Sequence, residues 1–307
     1  MQPFASPSFT LRGAGQRIPA MPKITVIIPT YNWCSVLPFS IGSALAQTWT
    51  DFELLVVGDG CTDGSQALVE SMSDPRVRWI NLERNTGDSA APSNRGCEEA
   101  QGEWIAYLGH DDLWLPGHLE SLFSTVQTGC DMAYGIAICY LEDAICGALP
   151  QFFESYRRPM AIAPASVMHR RALWEKVGGW RGRYEVRAAM DYDLWQRFHE
   201  AGAVMRFLPE ISAVKFPAVL RKDVYHTTPS GPQQRLLSRM RNEPDFAAME
   251  KEKLMAWLQE AYGEAPSLGG ALRMLRSALI MRLKLGERLG LRKGRQVDAF
   301  RRFKGLR

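Results

Sequence analysis

The chain has 307 residues, of which 46% are hydrophobic and 23% charged, so it is long enough to bury one large core. Its formal net charge is +4 at pH 7, which is small for this length, and no apolar run reaches the roughly 18 residues that a membrane-spanning helix needs. Six cysteines without C-x-x-C spacing favour reduced thiols in a cytoplasmic protein over a zinc site. They are Cys34, Cys61, Cys97, Cys130, Cys139 and Cys146.

The first 21 residues are rich in Pro, Ser, Gly and Ala and lack a long apolar segment. This composition is typical of a disordered tail and not of a secretion signal. The β-branched run that begins at Lys23 predicts a buried strand broken by Pro29 and followed by the turn Thr30–Asn32. Apolar residues then recur at helical spacing, at Val36, Leu37, Ile41, Ala44 and Leu45.

A second buried strand is predicted from Phe52 onward, and it ends in the acidic glycine turn Gly58–Gly60. Thr62 or Asp63 is placed to cap the helix that follows. The order strand, helix, strand, helix predicts parallel pairing with right-handed crossovers. The apolar run from Trp104 to Leu108 predicts a further strand. We therefore expect these polar residues to converge at one sheet edge: Thr30, Tyr31, Asp59, Asp111 and Asp112.

Asp111 and Asp112 are adjacent carboxylates in a loop at the carboxyl end of that third strand. Two anions there are costly unless they meet a cation such as Mg²⁺ or Mn²⁺ that carries a phosphate. A solvated acidic turn is the alternative, because acidic turns are common. The pair alone does not separate these two interpretations.

Eight segments, taken in their order and spacing, make a more specific pattern than any one of them. They are Ile28–Asn32, Gln47–Leu54, Gly58–Ser65, Asn85–Gly87, Asn94–Gly96, Gly102–Leu108, His110–Asp112 and Met190–Trp195. Over residues 22–226 this pattern resembles the family 2 glycosyltransferases, which use nucleotide-diphosphate sugars. The resemblance implies the α/β GT-A fold, with a Rossmann-like, mixed and mostly parallel sheet flanked by helices. It divides the chain into a tail at 1–21, a catalytic domain at 22–226 and a C-terminal extension at 227–307.

The resemblance also implies residues that contact the donor nucleotide. In the family, the turns after the first two strands hold the nucleoside, where a carboxylate accepts the imide hydrogen of uracil and an aromatic ring lies against the base. This favours a UDP-sugar. The implied nucleotide-binding residues are Pro29, Thr30, Tyr31, Asn32, Asp59, Asn94 and Asp111.

A divalent ion, Mn²⁺ or Mg²⁺, is the cofactor that the resemblance implies. Asp112 is then its direct ligand, and Asp111 lies on the ribose or metal side. His226 is a further candidate ligand, although a lone His after a strand-like segment is more often packed or on the surface. His169 is assigned to the wall of the acceptor site.

Asp191 is the residue that the resemblance implies as catalytic base. It lies at the start of a predicted helix whose Leu194, Trp195 and Phe198 form an apolar face. A base there takes the proton from an acceptor hydroxyl of a glycan, a lipid-linked sugar or a protein, and direct displacement inverts the anomeric configuration. The alternative is that Asp191 only caps its helix.

Four positions depart from the family pattern. Many relatives have Asp where this chain has Gly58 and Gly109, Arg where it has Ser93, and Glu where it has Met190. These departures make the donor less certain than the reaction class. They also keep a second function in view, a catalytically weak nucleotide-sugar binding module that recruits partners through its C-terminal tail.

The C-terminal extension begins with a predicted hinge between Thr227 and Pro244, which is rich in Pro, Gly and Gln. From Ala271 to Arg307 there are twelve Lys and Arg against two acidic residues, a net charge of +10. Leucines at near-helical spacing between the arginines indicate either a basic helix on anionic membrane or a helix packed on the domain. With few aromatic residues in this segment, nucleic-acid binding is not expected. The expected location is cytoplasmic, peripheral at the inner face of the membrane if the tail binds lipid.

Overall fold

The structure is a computed structural model that describes residues 22–150, 156, 160–220, 224–227 and 230–262. The N-terminal tail and the basic segment 271–307 lie outside the described residues, so what the sequence predicts for them stays a prediction. The division into three parts also stays a prediction.

In the described part of the chain, nine strands form one mixed sheet in the order β3-β2-β1-β4-β8-β6-β9-β5, with β7 paired to β6. Their bounds are β1 Ile24–Thr30, β2 Phe52–Gly58, β3 Val77–Asn81, β4 Trp104–Tyr107, β5 Leu113–Trp114, β6 Met132–Leu141, β7 Ala144–Leu149, β8 Val167–Arg170 and β9 Met205–Lys215. This is the α/β fold class that the resemblance implied.

The N-terminal half of the sheet is parallel. β1 lies between β2 and β4, and β3 pairs with the outer edge of β2. The register places Thr30 beside Gly58 and Ile27 beside Tyr107, so the carboxyl ends of β1, β2 and β4 share one edge. The predicted parallel strands and their common edge are confirmed.

β1 continues through Pro29, where the sequence predicted a break. The carbonyl of Ile27 accepts the Leu108 N–H on the β4 side. Pro29 is two residues further on and faces the same side, where the β4 ladder has already ended at Tyr107. The missing proline N–H therefore costs no sheet hydrogen bond.

The other half of the sheet is largely antiparallel. β8 pairs with β4 and β6, β7 with β6, and β5 with β9, whereas β6 and β9 are parallel. The short strand β5 follows the acidic residues directly, and its Leu113 pairs with Val214 of β9. This pairing brings the end of β9 next to Asp112.

The helices in the described residues are α1 Leu37–Leu45, α2 Ser65–Glu70, α3 Ala90–Glu99, α4 His118–Val126, α5 Arg171–Val177, α6 Met190–Glu200, α7 Val224–Thr227, α8 Gly231–Asn242 and α9 Phe246–Tyr262. The cap position of α2 is Gly64, not Thr62 or Asp63. Asp63 still accepts the Ser65 N–H at 3.0 Å and the Cys34 N–H at 3.0 Å, so it joins the start of α2 to the turn after β1.

Where the sequence predicted a hinge, the structure has α8. Pro232 lies in the first turn of this helix, where a proline N–H is not needed. Leu236, Leu237 and Met240 are buried with Leu113 and other apolar residues in one cluster. The segment is therefore packed against the sheet just behind the acidic loop.

The core has two layers because strand side chains alternate between the sheet faces. Val26 and Ile28 of β1 face one cluster, whereas Ile27 faces the other, together with Leu194, Trp195 and Phe198 of α6. The apolar face predicted for α6 is thus confirmed as buried. Within the described residues, no helix has the length and apolar character needed to cross a bilayer.

Candidate functional site

A cleft opens at the shared carboxyl edge of β1, β2 and β4. Thr30, Tyr31 and Asp59 line it from the turns after β1 and β2, and His110 lines it from the loop after β4. Ligands in open α/β sheets bind outside the carboxyl ends of strands. The cleft is therefore the candidate binding site, and it contains residues that the sequence placed there.

The turn after β1 forms one wall. Asn32 has a left-handed backbone, with φ of 53°, and its Oδ1 accepts the Thr62 N–H at 2.9 Å. This bond joins the β1 turn to the β2 turn. The hydroxyl of Thr30 is buried, faces no hydrogen-bond partner among the described residues, and belongs to a residue that lines the cleft. An orphaned hydroxyl at this position suits a polar ligand.

Asp59 organises the adjoining wall, in the turn after β2. Its carboxylate is buried and accepts the Thr86 N–H at 2.9 Å, the Thr86 hydroxyl at 2.7 Å and the Gly87 N–H at 3.1 Å. Gly60 allows this loop to approach, because a Cβ there would lie 2.4 Å from the backbone of Arg84. Asp59 thus holds the loop at residues 85–87 in place, and its contact with a base stays a prediction.

Gly58 is one of the four departures, and the structure accounts for it. A Cβ at this position would lie 2.4 Å from Asn81 Oδ1 and 2.8 Å from the ring of Trp79. Asn81 also accepts the Cys61 N–H and donates to the Cys61 carbonyl. Side chains of β3 therefore occupy the space that a side chain at residue 58 would need. One of them, Asn81, also supports the turn after β2.

The two acidic residues have different environments. Asp112 is 1% exposed, and its carboxylate accepts the Phe216 N–H at 3.0 Å and a hydrogen bond from Lys215 Nζ at 3.0 Å. Burial lowers the pKa of Lys215, but the charges of Asp112 and Asp111 raise it by more, so the ammonium stays charged. Asp112 is therefore held in an ion pair that the sequence did not reveal.

Asp111 is the other carboxylate, and its side chain is 9% exposed. Its Oδ1 lies 3.9 Å from Nε2 of His110, and the His110 ring stacks on Trp33 at 4.3 Å between centroids. The backbone carbonyl of Asp111 accepts a hydrogen bond from Gln233 Nε2 of α8 at 3.2 Å. The loop is thus fixed from both sides, by the β1 turn and by α8.

His226 lies on α7, whose Val224 is buried with Trp33 and Val36. The helix that carries His226 is therefore next to the ring pair of Trp33 and His110. The structure does not describe the His226 side chain, so its assignment as a metal ligand stays a prediction.

Asp191 lies in the first turn of α6, and its neighbour Met190 lines the cleft. The cap position is Ala189, so the alternative role of Asp191 as the helix cap is wrong. Asp191 Oδ1 accepts the Tyr192 N–H at 2.9 Å, and the side chain is half-buried. A carboxylate in the first turn is stabilised by the positive end of the helix dipole.

Arg183 is a cleft residue that the sequence did not single out. It donates from Nη2 to the Gly87 carbonyl at 2.6 Å, and its Nε lies 3.4 Å from Asp88 Oδ2. Both Arg183 and Asp88 line the cleft. The loop before α6 is thereby tied to the loop that Asp59 holds, which closes the wall between them.

Asn94, predicted to contact the nucleotide, serves as a clamp in the structure. Its Oδ1 accepts the Trp180 N–H at 2.8 Å and the Trp174 indole N–H at 3.1 Å, and its Nδ2 donates to the Trp180 carbonyl at 2.9 Å. These bonds hold the turn that leads to Arg183. A nucleotide contact for Asn94 stays a prediction.

His169 is not part of an exposed wall, and that prediction is wrong. It is fully buried on β8, where its Nε2 is 3.1 Å from the Tyr107 hydroxyl and its Nδ1 is 2.9 Å from the Arg170 carbonyl. Burial lowers its pKa to about 4, so the ring is neutral. Pairing of β8 between β4 and β6, which the sequence did not show, places it in the core.

The acidic loop offers the oxygen ligands that Mg²⁺ and Mn²⁺ prefer. In a phosphate site such an ion takes one or two carboxylates and completes its coordination with substrate oxygens and water. Among the described residues, no three His, Cys, Asp or Glu side chains are grouped to hold a metal. A cation that shares its ligands with a diphosphate fits this donor set. Asp112 is engaged by Lys215, and the assignments of Asp111 and Asp112 as metal ligands stay predictions.

Comparison with known proteins agrees with this geometry. Residues 25–175 match the family model described as Glycosyl transferase family 2. The succinoglycan biosynthesis protein ExoO of Rhizobium meliloti is 40% identical over 105 residues, which are 34% of this chain and 30% of ExoO. The chain spans between about a third and two thirds of the length of the curated relatives that head the comparison.

Two solved structures show the same fold. TarS of S. aureus in complex with UDP-GlcNAc has a TM-score of 0.57 and 19% identity, over 81% of this chain and 75% of that one. The mannosyltransferase PcManGT of Pyrobaculum calidifontis, in complex with GDP-Man and Mn²⁺, has a TM-score of 0.51 and 19% identity, over 94% and 84%. The matching family model, the sequence relatives and this shared GT-A fold together place the chain in glycosyltransferase family 2.

Proposed function

We propose that this protein is an inverting glycosyltransferase that moves a sugar from a nucleotide-diphosphate donor, a UDP-sugar, to a hydroxyl of a glycan, a lipid-linked sugar or a protein. The observation that carries the proposal is the cleft itself. Thr30, Tyr31, Asp59 and His110 line it, and α6 begins at its rim with Met190 and Asp191. The proximity of the predicted donor-binding residues to the start of α6 supports the proposal.

The donor occupies the cleft with its base against the β1 and β2 turns. Tyr31 offers a ring to the base, the orphaned Thr30 hydroxyl offers a polar contact, and Asp59 shapes the pocket through the loop at residues 85–87. The diphosphate then extends towards the acidic loop. Arg183 lines the same cleft and adds a positive charge to it.

Asp111 is the carboxylate that we assign to the divalent ion, with His226 as a candidate second ligand. A divalent ion held there, Mn²⁺ or Mg²⁺, would supply positive charge to the diphosphate leaving group. The Mn²⁺ in the PcManGT complex supports this assignment by analogy. Gln233 and the stacked Trp33 and His110 keep the acidic loop in place.

Asp191 is the residue that we assign as general base. It accepts the proton of the acceptor hydroxyl while that oxygen attacks the anomeric carbon of the donor sugar. The buried apolar face of α6, with Leu194, Trp195 and Phe198, fixes the position of the helix that carries Asp191. A single displacement of this kind inverts the anomeric configuration.

We also propose that the basic segment 271–307 brings the enzyme to anionic membrane on the cytoplasmic side. Its net charge of +10 supports this, because each Lys or Arg near an anionic surface contributes about 1 kcal/mol. Such a location suits an enzyme with a lipid-linked acceptor.

The proposal is tested by a screen of nucleotide sugars in the presence of Mn²⁺. Donors that bind the folded protein raise its melting temperature by mass action. We expect a UDP-sugar to give the largest shift and slow hydrolysis in the absence of acceptor. Binding without any transfer across a broad acceptor panel would instead favour the nucleotide-sugar binding module, and no shift with any donor would contradict both.

A further inference from the structure

Lys215, the last residue of β9, lies beside the acidic loop and is not among the residues that the sequence pattern assigns. Its Nζ is 3.0 Å from Asp112 Oδ2. The Lys215 side chain is 29% exposed, whereas that of Asp112 is 1% exposed. The lysine is therefore the more exposed member of the pair, and the carboxylate is buried.

The position of Asp112 depends on Gly109. A Cβ at residue 109 would lie 2.5 Å from Asp112 Oδ2, so the carboxylate fills the space above the glycine. A larger residue at 109 would displace Asp112 from Lys215. The loop of this chain therefore turns the Asp112 carboxylate inward onto Lys215, and Lys215 is the more exposed member of this pair.

The Lys215 ammonium has three donors, and among the described residues it donates to Asp112 alone. A lysine ammonium is a compact cation on a flexible stem and a common phosphate ligand. Among the described residues the other two donors have no acceptor, so they can meet an anion at the acidic loop.

We propose that Lys215 binds the diphosphate of the donor and shares with the divalent ion the neutralisation of the departing nucleoside diphosphate. This inference rests on the proposed function, which brings the diphosphate to the acidic loop. It assigns to Gly109 a role as well, because that glycine allows Asp112 to fold inward onto Lys215.

The test separates the ion pair from the phosphate contact. Asp112→Asn is compared with the double variant Asp112→Asn/Lys215→Met, since neither has an unpaired buried carboxylate. UDP, GDP and the two nucleosides without phosphates are titrated into each protein by calorimetry, with Mn²⁺ and with EDTA. Lys251→Met on α9, an exposed lysine, is the matched control for loss of one positive charge.

We expect the double variant to bind the nucleoside diphosphate about tenfold more weakly than Asp112→Asn, with and without Mn²⁺. Binding of the nucleoside and the affinity of Lys251→Met should stay unchanged. Equal diphosphate affinity of the single and double variants would overturn the inference. An equal loss for nucleoside and diphosphate, or the same loss in Lys251→Met, would overturn it too.

Two further variants complete the test. If the double variant does not fold, Asp112→Asn/Lys215→Gln takes its place, because it keeps a hydrogen-bonding amide beside the loop. Lys215→Arg should retain most of the affinity, since it preserves the charge. If the unmodified protein binds neither UDP nor GDP, the proposed function fails, and that outcome is distinct from equal binding by the two variants.

Discussion

Gln233 of α8 donates a hydrogen bond from Nε2 to the backbone carbonyl of Asp111 at 3.2 Å, and the glutamine is 1% exposed. Helix α8 thus supports the acidic loop. The same helix packs its Leu236 and Leu237 in one cluster with Leu113, just after that loop. Helix α8 and the candidate site are therefore packed together at this point.

This contact predicts the effect of Gln233→Leu. The variant leaves the buried Asp111 carbonyl without its donor, which costs about 1 kcal/mol or more of folding free energy. We expect a lower melting temperature and weaker Mn²⁺-dependent binding of nucleoside diphosphate. Gln234→Leu is the matched control, since Gln234 is the exposed neighbour on the same helix. Equal effects of the two substitutions would contradict the role of Gln233.

Asp111 and Asp112 predict two different losses. Asp111→Asn removes the proposed metal carboxylate, so the apparent affinity for Mn²⁺ in the presence of UDP should fall about tenfold or more. Asp112→Asn leaves the Lys215 ammonium without its buried partner, so its main effect should be on stability. Melting curves and Mn²⁺ titrations measure both. If Asp112→Asn mainly lowered the Mn²⁺ affinity and Asp111→Asn mainly lowered stability, Asp112 would be the metal ligand, as the resemblance implied.

Two buried histidines predict acid sensitivity of the fold. Burial lowers the pKa of His118 to about 3 and that of His169 to about 4, from an ordinary value near 6.5. Between each native pKa and pH 6.5, the unfolded chain binds a proton that the native protein does not. The stability that the neutral histidines contribute is therefore fully present above pH 6.5 and is lost as the pH falls below it. The slope is about 1 kcal/mol per pH unit for each histidine. Denaturant titrations from pH 7 to pH 4 check this.

His169→Gln provides the matched variant for that experiment. Its stability should depend less steeply on pH than that of the unmodified protein, because one of the two groups no longer titrates. An identical pH slope in the two proteins would show that His169 does not contribute.

The basic tail predicts a separable membrane interaction. Truncation before Ala271 should leave donor hydrolysis intact and reduce sedimentation with anionic liposomes, and binding of the full chain should weaken with salt. Sedimentation of both forms to the same extent would contradict the membrane proposal. Loss of folding on truncation would support a helix packed on the domain instead.

Local patterns were enough to predict the parallel half of the sheet. The apolar runs of β1, β2 and β4 are continuous and buried. Thr30 ends β1, Asp59 follows β2 directly, and Asp111 lies in the loop that follows β4. Order along the chain and the parallel geometry then bring these ends together. The cleft could therefore be placed from sequence.

The supporting contacts could not be predicted in this way because they join residues far apart in sequence. Lys215 meets Asp112 through the pairing of β9 with β5, and Gln233 reaches Asp111 from a segment whose Pro and Gly suggested a hinge. Pro232 begins a helix there because the first turn needs no proline N–H. Tertiary packing decides whether Pro and Gly in this segment form a hinge or the start of a helix, and the local sequence does not show that packing.

The central claim is that Asp191 acts as general base in glycosyl transfer. Asp191→Asn keeps nearly the same shape and, since Ala189 is the cap position, leaves the helix cap unchanged. Donor and Mn²⁺ binding and the melting temperature should be preserved, whereas transfer to an acceptor should fall by roughly 10²–10⁴-fold. Single-turnover transfer at saturating donor measures this directly. A fall of that size with intact binding is the result we predict, and transfer at the rate of the unmodified protein would contradict the account.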